Sequence, residues 1–178
     1  MTYVVVLLGS LRAASVNRQL AGLALQVAPE GVVPVLFDRL GELPFYNEDI
    51  DNDDAAEPVT ALRQEAARAD AVLVVTPEYN GSIPGVLKNA IDWLSRPYGN
   101  SALKGKPLAV IGAALGSYGG TWAHEETRKS FAIAGSRVFE STKLSVPLKS
   151  LNGMHPREHG ELVEKVRDAV TQLAAGAQ

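Results

Sequence analysis

Two stretches of this chain have residue types and spacings suited to holding an anion and a flat ring. Thr76-Pro77-Glu78-Tyr79-Asn80-Gly81-Ser82-Ile83-Pro84-Gly85 combines two prolines, two glycines, an aromatic and small polar residues. A rigid segment of that kind exposes backbone N–H and C=O groups, which suits a planar heterocycle with donors and acceptors on its rim, such as a flavin. Gly9-Ser10-Leu11-Arg12-Ala13-Ala14-Ser15-Val16-Asn17 offers hydroxyl and amide donors at Ser10, Ser15 and Asn17 and a cation at Arg12. It has neither the G-x-G-x-x-G of a dinucleotide fingerprint nor the G-K-[ST] ending of a P-loop. A polar cradle without that lysine suits a terminal monophosphate better than a triphosphate with magnesium. Ser15 or Asn17 would equally cap a following helix, so this loop alone leaves both roles open. Gly116-Ser117-Tyr118-Gly119-Gly120 is a third candidate, either a flexible connector or a place where backbone approaches a ligand closely.

The elements around these loops are legible from periodicity. Tyr3–Leu8 and Ala71–Val75 are continuous apolar, β-branched runs, the signature of strands buried on both faces of a parallel sheet. Val32–Phe37 and Pro107–Ala114 read as further strands, and Ser136–Val146 as containing a short fifth one. Between them lie helical patterns: Leu20, Leu23, Ala24 and Val27; Pro58–Arg68, opening on proline; and Val86, Leu87, Ala90, Ile91 and Leu94. Thr121–Ala134 presents Trp122, Thr127, Phe131 and Ala134 at helical spacing, and Gly160–Ala175 is a closing amphipathic helix. Asp38–Pro58 is a long acidic connection anchored by Leu43-Pro44-Phe45-Tyr46, and Ser95–Gly105 is a turn-rich link. Strands alternating with helices predict an α/β, three-layer sandwich with a five-stranded parallel sheet in the order 2-1-3-4-5. That order sets the loops after the first, third and fourth strands side by side on one sheet edge, where open α/β sheets bind ligands.

Composition narrows the chemistry. The 178 residues fit one domain with a substantial core, so 1–178 is expected to fold as a single unit. A net charge of −3 has the wrong sign for a nucleic-acid or anionic-membrane partner. The absence of cysteine excludes disulfides, thiolate nucleophiles and Cys-ligated metals, so redox chemistry would need a bound cofactor. Met1–Gly9 is too short to span a bilayer and lacks a basic n-region and cleavage site, which makes a cytoplasmic location the expectation.

The motif Gly9-Ser10-x-Arg12-x-x-Ser15-x-Asn17-x-x-Leu20-Ala21 resembles the phosphate loop of the NAD(P)H-dependent FMN reductase family. Pro77-Glu78-Tyr79-Asn80, with Pro84-Gly85-x-Leu87-Lys88-Asn89-Ala90-Ile91-Asp92-Trp93, resembles that family's second signature, and Ser117-Tyr118-Gly119-Gly120 its third loop. The resemblance implies a flavodoxin-like FMN-binding domain reduced by NADPH or NADH, which passes electrons to a small acceptor such as free flavin, a quinone, an azo compound or a metal oxyanion. It implies a homodimer or homotetramer. Carried over, Ser10, Arg12, Ser15, Val16 and Asn17 would hold the phosphate end, Pro77, Glu78, Tyr79 and Asn80 the ring, and Ser117 and Gly119 the far side. The flavin would carry the chemistry, with no catalytic side chain and no metal. Gly81 departs from members with a bulkier residue there, which predicts a looser loop or a wider pocket.

Two other functions compete. A flavodoxin-type electron carrier would lack a NAD(P)H site, although carriers tend to be more acidic than this chain. A hydrolase or transferase on the same fold would need a general base, for which Glu78 and His124 are the candidates. Glu78 is expected to point outward, and His124 to sit on a solvated helix face with Glu125 and Glu126. His155-Pro156-Arg157-Glu158-His159 reads as an exposed turn rather than a metal site, because proline interrupts the pair and a third ligand is lacking. Trp93 is expected at a subunit interface, on a helix whose outer face carries Lys88 and Asp92. The acidic run Asp49–Asp54 reads as solvated or as bordering a partner's cleft.

Overall fold

The computed structural model describes residues 1–177. Five strands, β1 (Thr2–Leu8), β2 (Val32–Phe37), β3 (Ala71–Val75), β4 (Pro107–Ala114) and β5 (Arg137–Pro147), form one sheet in the order β2-β1-β3-β4-β5. Every neighbouring pair is parallel. The helices are α1 (Val16–Gln26), α2 (Glu57–Arg68), α3 (Gly85–Leu94), α4 (Thr121–Ile133) and α5 (Gly160–Ala175). The expected flavodoxin-like topology is therefore the observed one.

The continuous apolar runs follow from two cores sharing one sheet. Val4, Val6 and Leu8 of β1 point into a cluster with Leu20 and Leu23 of α1 and Val166, Val170 and Leu173 of α5. Val5 and Leu7 point the other way, into a cluster with Leu62 of α2, Leu87 and Leu94 of α3 and Phe131 of α4. Because successive strand residues face opposite sides, a strand covered on both must be apolar at every position. β3 and β4 are buried along their whole length for the same reason.

β5 is longer than expected, at 11 residues. It is an edge strand, mostly exposed or half-buried with only Thr142 and Val146 of the strand buried, and its register against β4 shifts between Leu108 and Val110. The solvated Glu140-Ser141 segment and the bulge together hide it from a search for apolar runs. Trp93 is also placed differently: it is fully buried, not at a subunit surface. Its indole Nε1 donates to Pro44 O at 2.8 Å, and Tyr46 packs edge-on against it at 4.9 Å. Asn89 Oδ1 accepts from Tyr46 N at 2.8 Å, so α3 fastens the long acidic connection from inside. Within that connection Phe45 is exposed, while Asp51 is drawn into an ion pair with Arg63 at 2.7 Å. Lys88 and Asp92 do pair on the outer face of α3, at 2.7 Å. On α4 the buried stripe is Ala123, His124, Thr127, Arg128 and Phe131, and Trp122 is instead about half exposed. No helix among the described residues is long and apolar enough to cross a membrane.

Candidate functional site

The loops after β1, β3 and β4 meet at the carboxyl edge of the sheet around a cleft of about 220 Å3. From the first loop it is lined by Ser10, Arg12, Ser15, Val16 and Asn17, and from the second by Pro77, Glu78 and Tyr79. Strand β4 and the start of its loop contribute Ala113 to Gly116, and the turn after β5 contributes Leu148. Asn80, Ser117 and Gly119 lie outside this lining.

Ser15 is the N-cap of α1, its Oγ accepting from Asn17 N at 3.2 Å, and no acidic residue occupies the first turn of that helix. An unneutralised helix N-terminus attracts an anion. Arg12 is exposed, and no carboxylate among the described residues pairs with it. The Asn17 side chain has another task than the one expected of it. Its Nδ2 donates to Ala113 O and its Oδ1 accepts from Ala113 N, both at 2.8 Å. Strand β3 ends beside Ile111, where Thr76 N makes the last ladder bond, and the chain then turns away through Pro77. Asn17 takes the place of the missing strand at Ala113, which lets the sheet splay open without stranding buried backbone groups.

The second loop is tighter than Gly81 suggested. Tyr79 and Ser82 exchange backbone bonds at 3.2 and 3.0 Å around Asn80 and Gly81, whose φ angles are 51° and 71°. Two successive positive φ values are what a type I′ turn demands, and Asn-Gly is the pair best suited to it. Glycine therefore firms the loop instead of loosening it. Asn80 serves the turn and is exposed. Glu78, expected to face outward, is half-buried, and its Oε2 accepts from Ala123 N at 3.1 Å in the first turn of α4.

The third loop departs furthest from expectation. Gly119 has φ 63°, and a Cβ there would lie 2.6 Å from backbone atoms of Ser145 and Val146. Its close approach is to β5 and not to the cleft. Ser117 is exposed. The small side chains at the end of β4, Ala113 and Ala114, line the cleft in their stead.

His124 corrects the sequence reading outright: it is fully buried, its Nε2 2.9 Å from Thr76 O and its Nδ1 2.7 Å from Ser145 Oγ. Burial pushes its pKa below the ordinary imidazole value, the Arg128 charge adds to this, and the Thr76 bond and Glu78 oppose it. The signal that could have revealed it is Gly112, a glycine inside an apolar strand. A Cβ there would fall 2.0 Å from Thr76 O and 2.8 Å from His124 Nε2. Neither histidine of the 155–159 segment lines the cleft: His155 Nδ1 accepts from Arg157 N and caps a short turn. No group of three or more His, Cys, Asp or Glu among the described residues is arranged to hold a metal.

The donors on these walls fit a mononucleotide phosphate: an arginine without a carboxylate partner among the described residues, two hydroxyls and a helix N-terminus on one side. Residues 2–150 match the family model of the NADPH-dependent FMN reductases. A quinone reductase of Pseudomonas putida is 48% identical over 130 residues, 73% of this chain and 69% of its own. An NAD(P)H-dependent FMN reductase of Pseudomonas aeruginosa is 36% identical over 170 residues, 96% of this chain and 90% of its own. Among solved structures, the flavoenzyme NAD(P)H:(acceptor) oxidoreductase FerB of Paracoccus denitrificans superposes with a TM-score of 0.88 at 32% identity, covering 99% of this chain and 97% of its own. The chain belongs to the NADPH-dependent FMN reductase family.

Proposed function

We propose that this protein, working as one FMN-binding domain, is an NAD(P)H-dependent oxidoreductase that holds FMN across the three loops and reduces a small acceptor of the quinone class. When bound, FMN supplies hydride acceptance from a nicotinamide and its onward delivery, chemistry that no side chain here can perform. The protein binds and orients. Arg12, the hydroxyls of Ser10 and Ser15 and the amino end of α1 hold the phosphate. Asn17 keeps the end of β4 apart from β3, and the backbone of Pro77 to Tyr79 faces the ring. A cavity of about 220 Å3 is smaller than the roughly 300–1,000 Å3 of sites that enclose a whole small ligand. It takes in one end of a mononucleotide and leaves the other accessible, as a reductase with interchangeable partners requires.

The observation that carries this reading is the pairing of Arg12, a cation uncommitted among the described residues, with a pinned backbone loop across one cleft. The quinone reductase name of the 48% identical Pseudomonas putida relative supports the acceptor class. A second copy of this chain belongs to the reading as partner. Tyr98, Ile133, Tyr118 and Trp122 are large apolar residues at the surface, with the tilted rings of Tyr118 and Trp122 in contact at 5.6 Å between centroids. Light scattering after gel filtration is expected to give a dimer or tetramer.

The decisive test is incubation of the purified protein with FMN, followed by desalting, a visible spectrum, and NADPH and NADH oxidation with benzoquinone or an azo dye. A yellow protein that consumes reduced nicotinamide only with acceptor is expected. Protein that stays colourless in excess FMN would overturn the proposal, and flavin that NAD(P)H fails to bleach would favour an electron carrier.

A further inference from the structure

Helix α4 grips the ring-side loop at three consecutive places along its first turns. Ala123 N donates to Glu78 Oε2 at 3.1 Å, and Glu126 Oε2 accepts from Ser82 Oγ at 2.6 Å. Between them His124 reaches the base of the loop. Thr76 O can only accept, so Nε2 carries the imidazole proton, and neutral Nδ1 must then accept from the Ser145 hydroxyl. One neutral ring thus links β3, α4 and β5 below the cleft without lining it.

The contact is built rather than incidental. Thr76 O has lost its partner in the sheet, because the facing Ala113 N–H is taken by Asn17. Buried without a donor it would be an orphan acceptor, a costly state. The neighbouring backbone makes room for the donor: a Cβ on Gly112 would crowd Nε2 to 2.8 Å, and one on Gly120 would stand 3.2 Å from it. Thr76 Oγ1 also donates to Pro77 O at 3.0 Å, so the direction in which the chain leaves the sheet is fixed at two successive carbonyls.

We propose that His124 is a positioning residue for the flavin site: through the Thr76 carbonyl it sets the exit angle of Pro77–Tyr79, the backbone that faces the ring. This rests on the FMN reading of the cleft. A residue that merely filled the core would affect all elements alike, whereas a positioning residue acts on Thr76–Ser82 first.

The test compares H124L, of similar bulk but without a donor, with H124Q, whose amide can donate to Thr76 O and accept from Ser145. Amide hydrogen exchange is followed in flavin-free protein, and FMN affinity by fluorescence quenching. H124L is expected to speed exchange in Thr76–Ser82 about tenfold relative to β1 and β4 and to weaken FMN binding about tenfold, the worth of one buried hydrogen bond. H124Q is expected to restore most of both. Parental loop exchange in H124L, a uniform rise across sheet and loop, or failure of H124Q to rescue would each overturn the proposal. Should H124L not fold, S145A reads the same chain from its other end: exchange rising about threefold in the loop alone is expected, as for a weaker indirect contact, and parental exchange refutes. Because the exchange is read without flavin, it judges His124 even if the parent protein fails to bind FMN.

Discussion

The loop after β1 and the loop after β3 flank the same cleft yet are held in opposite ways. In the first, Arg12 is solvated and unpaired among the described residues, and Ser15 and Asn17 are the only side chains that tie it down, by capping α1 and bridging to β4. In the second, Glu78, Ser82 and the Thr76 carbonyl are each fixed to α4, and Asn80-Gly81 closes a tight turn. A loop that offers charge to a ligand must leave that charge unspent. A loop that offers backbone must be immobilised, since a peptide group has no side-chain torsion with which to find its partner.

The strongest challenge to this contrast is Asn17→Ala, which removes the bridge between the two regions. It unpairs the buried N–H and C=O of Ala113 together, so a loss of about 2–4 kcal/mol is expected. For a chain of this size that is a drop of roughly 5–15 °C in melting temperature, read by calorimetry, with FMN binding lost alongside. A melting temperature within a degree or so of the parent would show that water serves Ala113 as well as the amide does.

Arg12→Ala sharpens the comparison from the free side. Loss of a charged contact to phosphate costs on the order of 1.5–3 kcal/mol, or roughly 10- to 100-fold in FMN affinity. Stability is expected to be unchanged, because no intramolecular partner is lost. Titration calorimetry and a thermal melt of the same variant check both halves, and a destabilised R12A would mean that the first loop is not free.

The smallest effect is a pH dependence on the pinned side. The folded pKa of His124 lies below its ordinary 6.5, chiefly through burial and with help from Arg128 on the same helix, against Glu78 from the loop and the Thr76 carbonyl. As pH falls the unfolded chain takes up this proton first. The neutral ring's contribution is therefore complete above about pH 6.5 and is lost progressively below it. Melting temperatures from pH 7.5 to 5 are expected to decline more steeply in the parent than in H124Q, and parallel curves would remove His124 from the acid response.

Much of this was legible beforehand. The buried runs gave β1, β3 and β4, their order placed three loops on one edge, and Gly9-Ser10-x-Arg12 with Pro77-Glu78-Tyr79 pointed to a mononucleotide cleft. Trp93, His124 and Glu78 lie deeper than the sequence predicts. Trp93 and His124 sit on helices and Glu78 in a loop, but in each case a distant backbone group decides whether the side chain turns inward: Pro44 O for the indole, Thr76 O for the imidazole, Ala123 N for the carboxylate. The family resemblance assigns Ser117 and Gly119 to a ligand, and the close approach that needs Gly119 in the structure is to β5.

Periodicity and composition act within a few residues of one another, so the sequence by itself determined the strands, their parallel arrangement and the polar and glycine-rich loops that follow three of them. Which side chains repair the sheet where it splays was decided only in three dimensions. Asn17 meets Ala113 across 96 positions and His124 meets Thr76 across 48. The need for them arises when β3 parts from β4 and leaves buried backbone groups without partners, and no local pattern records which distant residue will answer it.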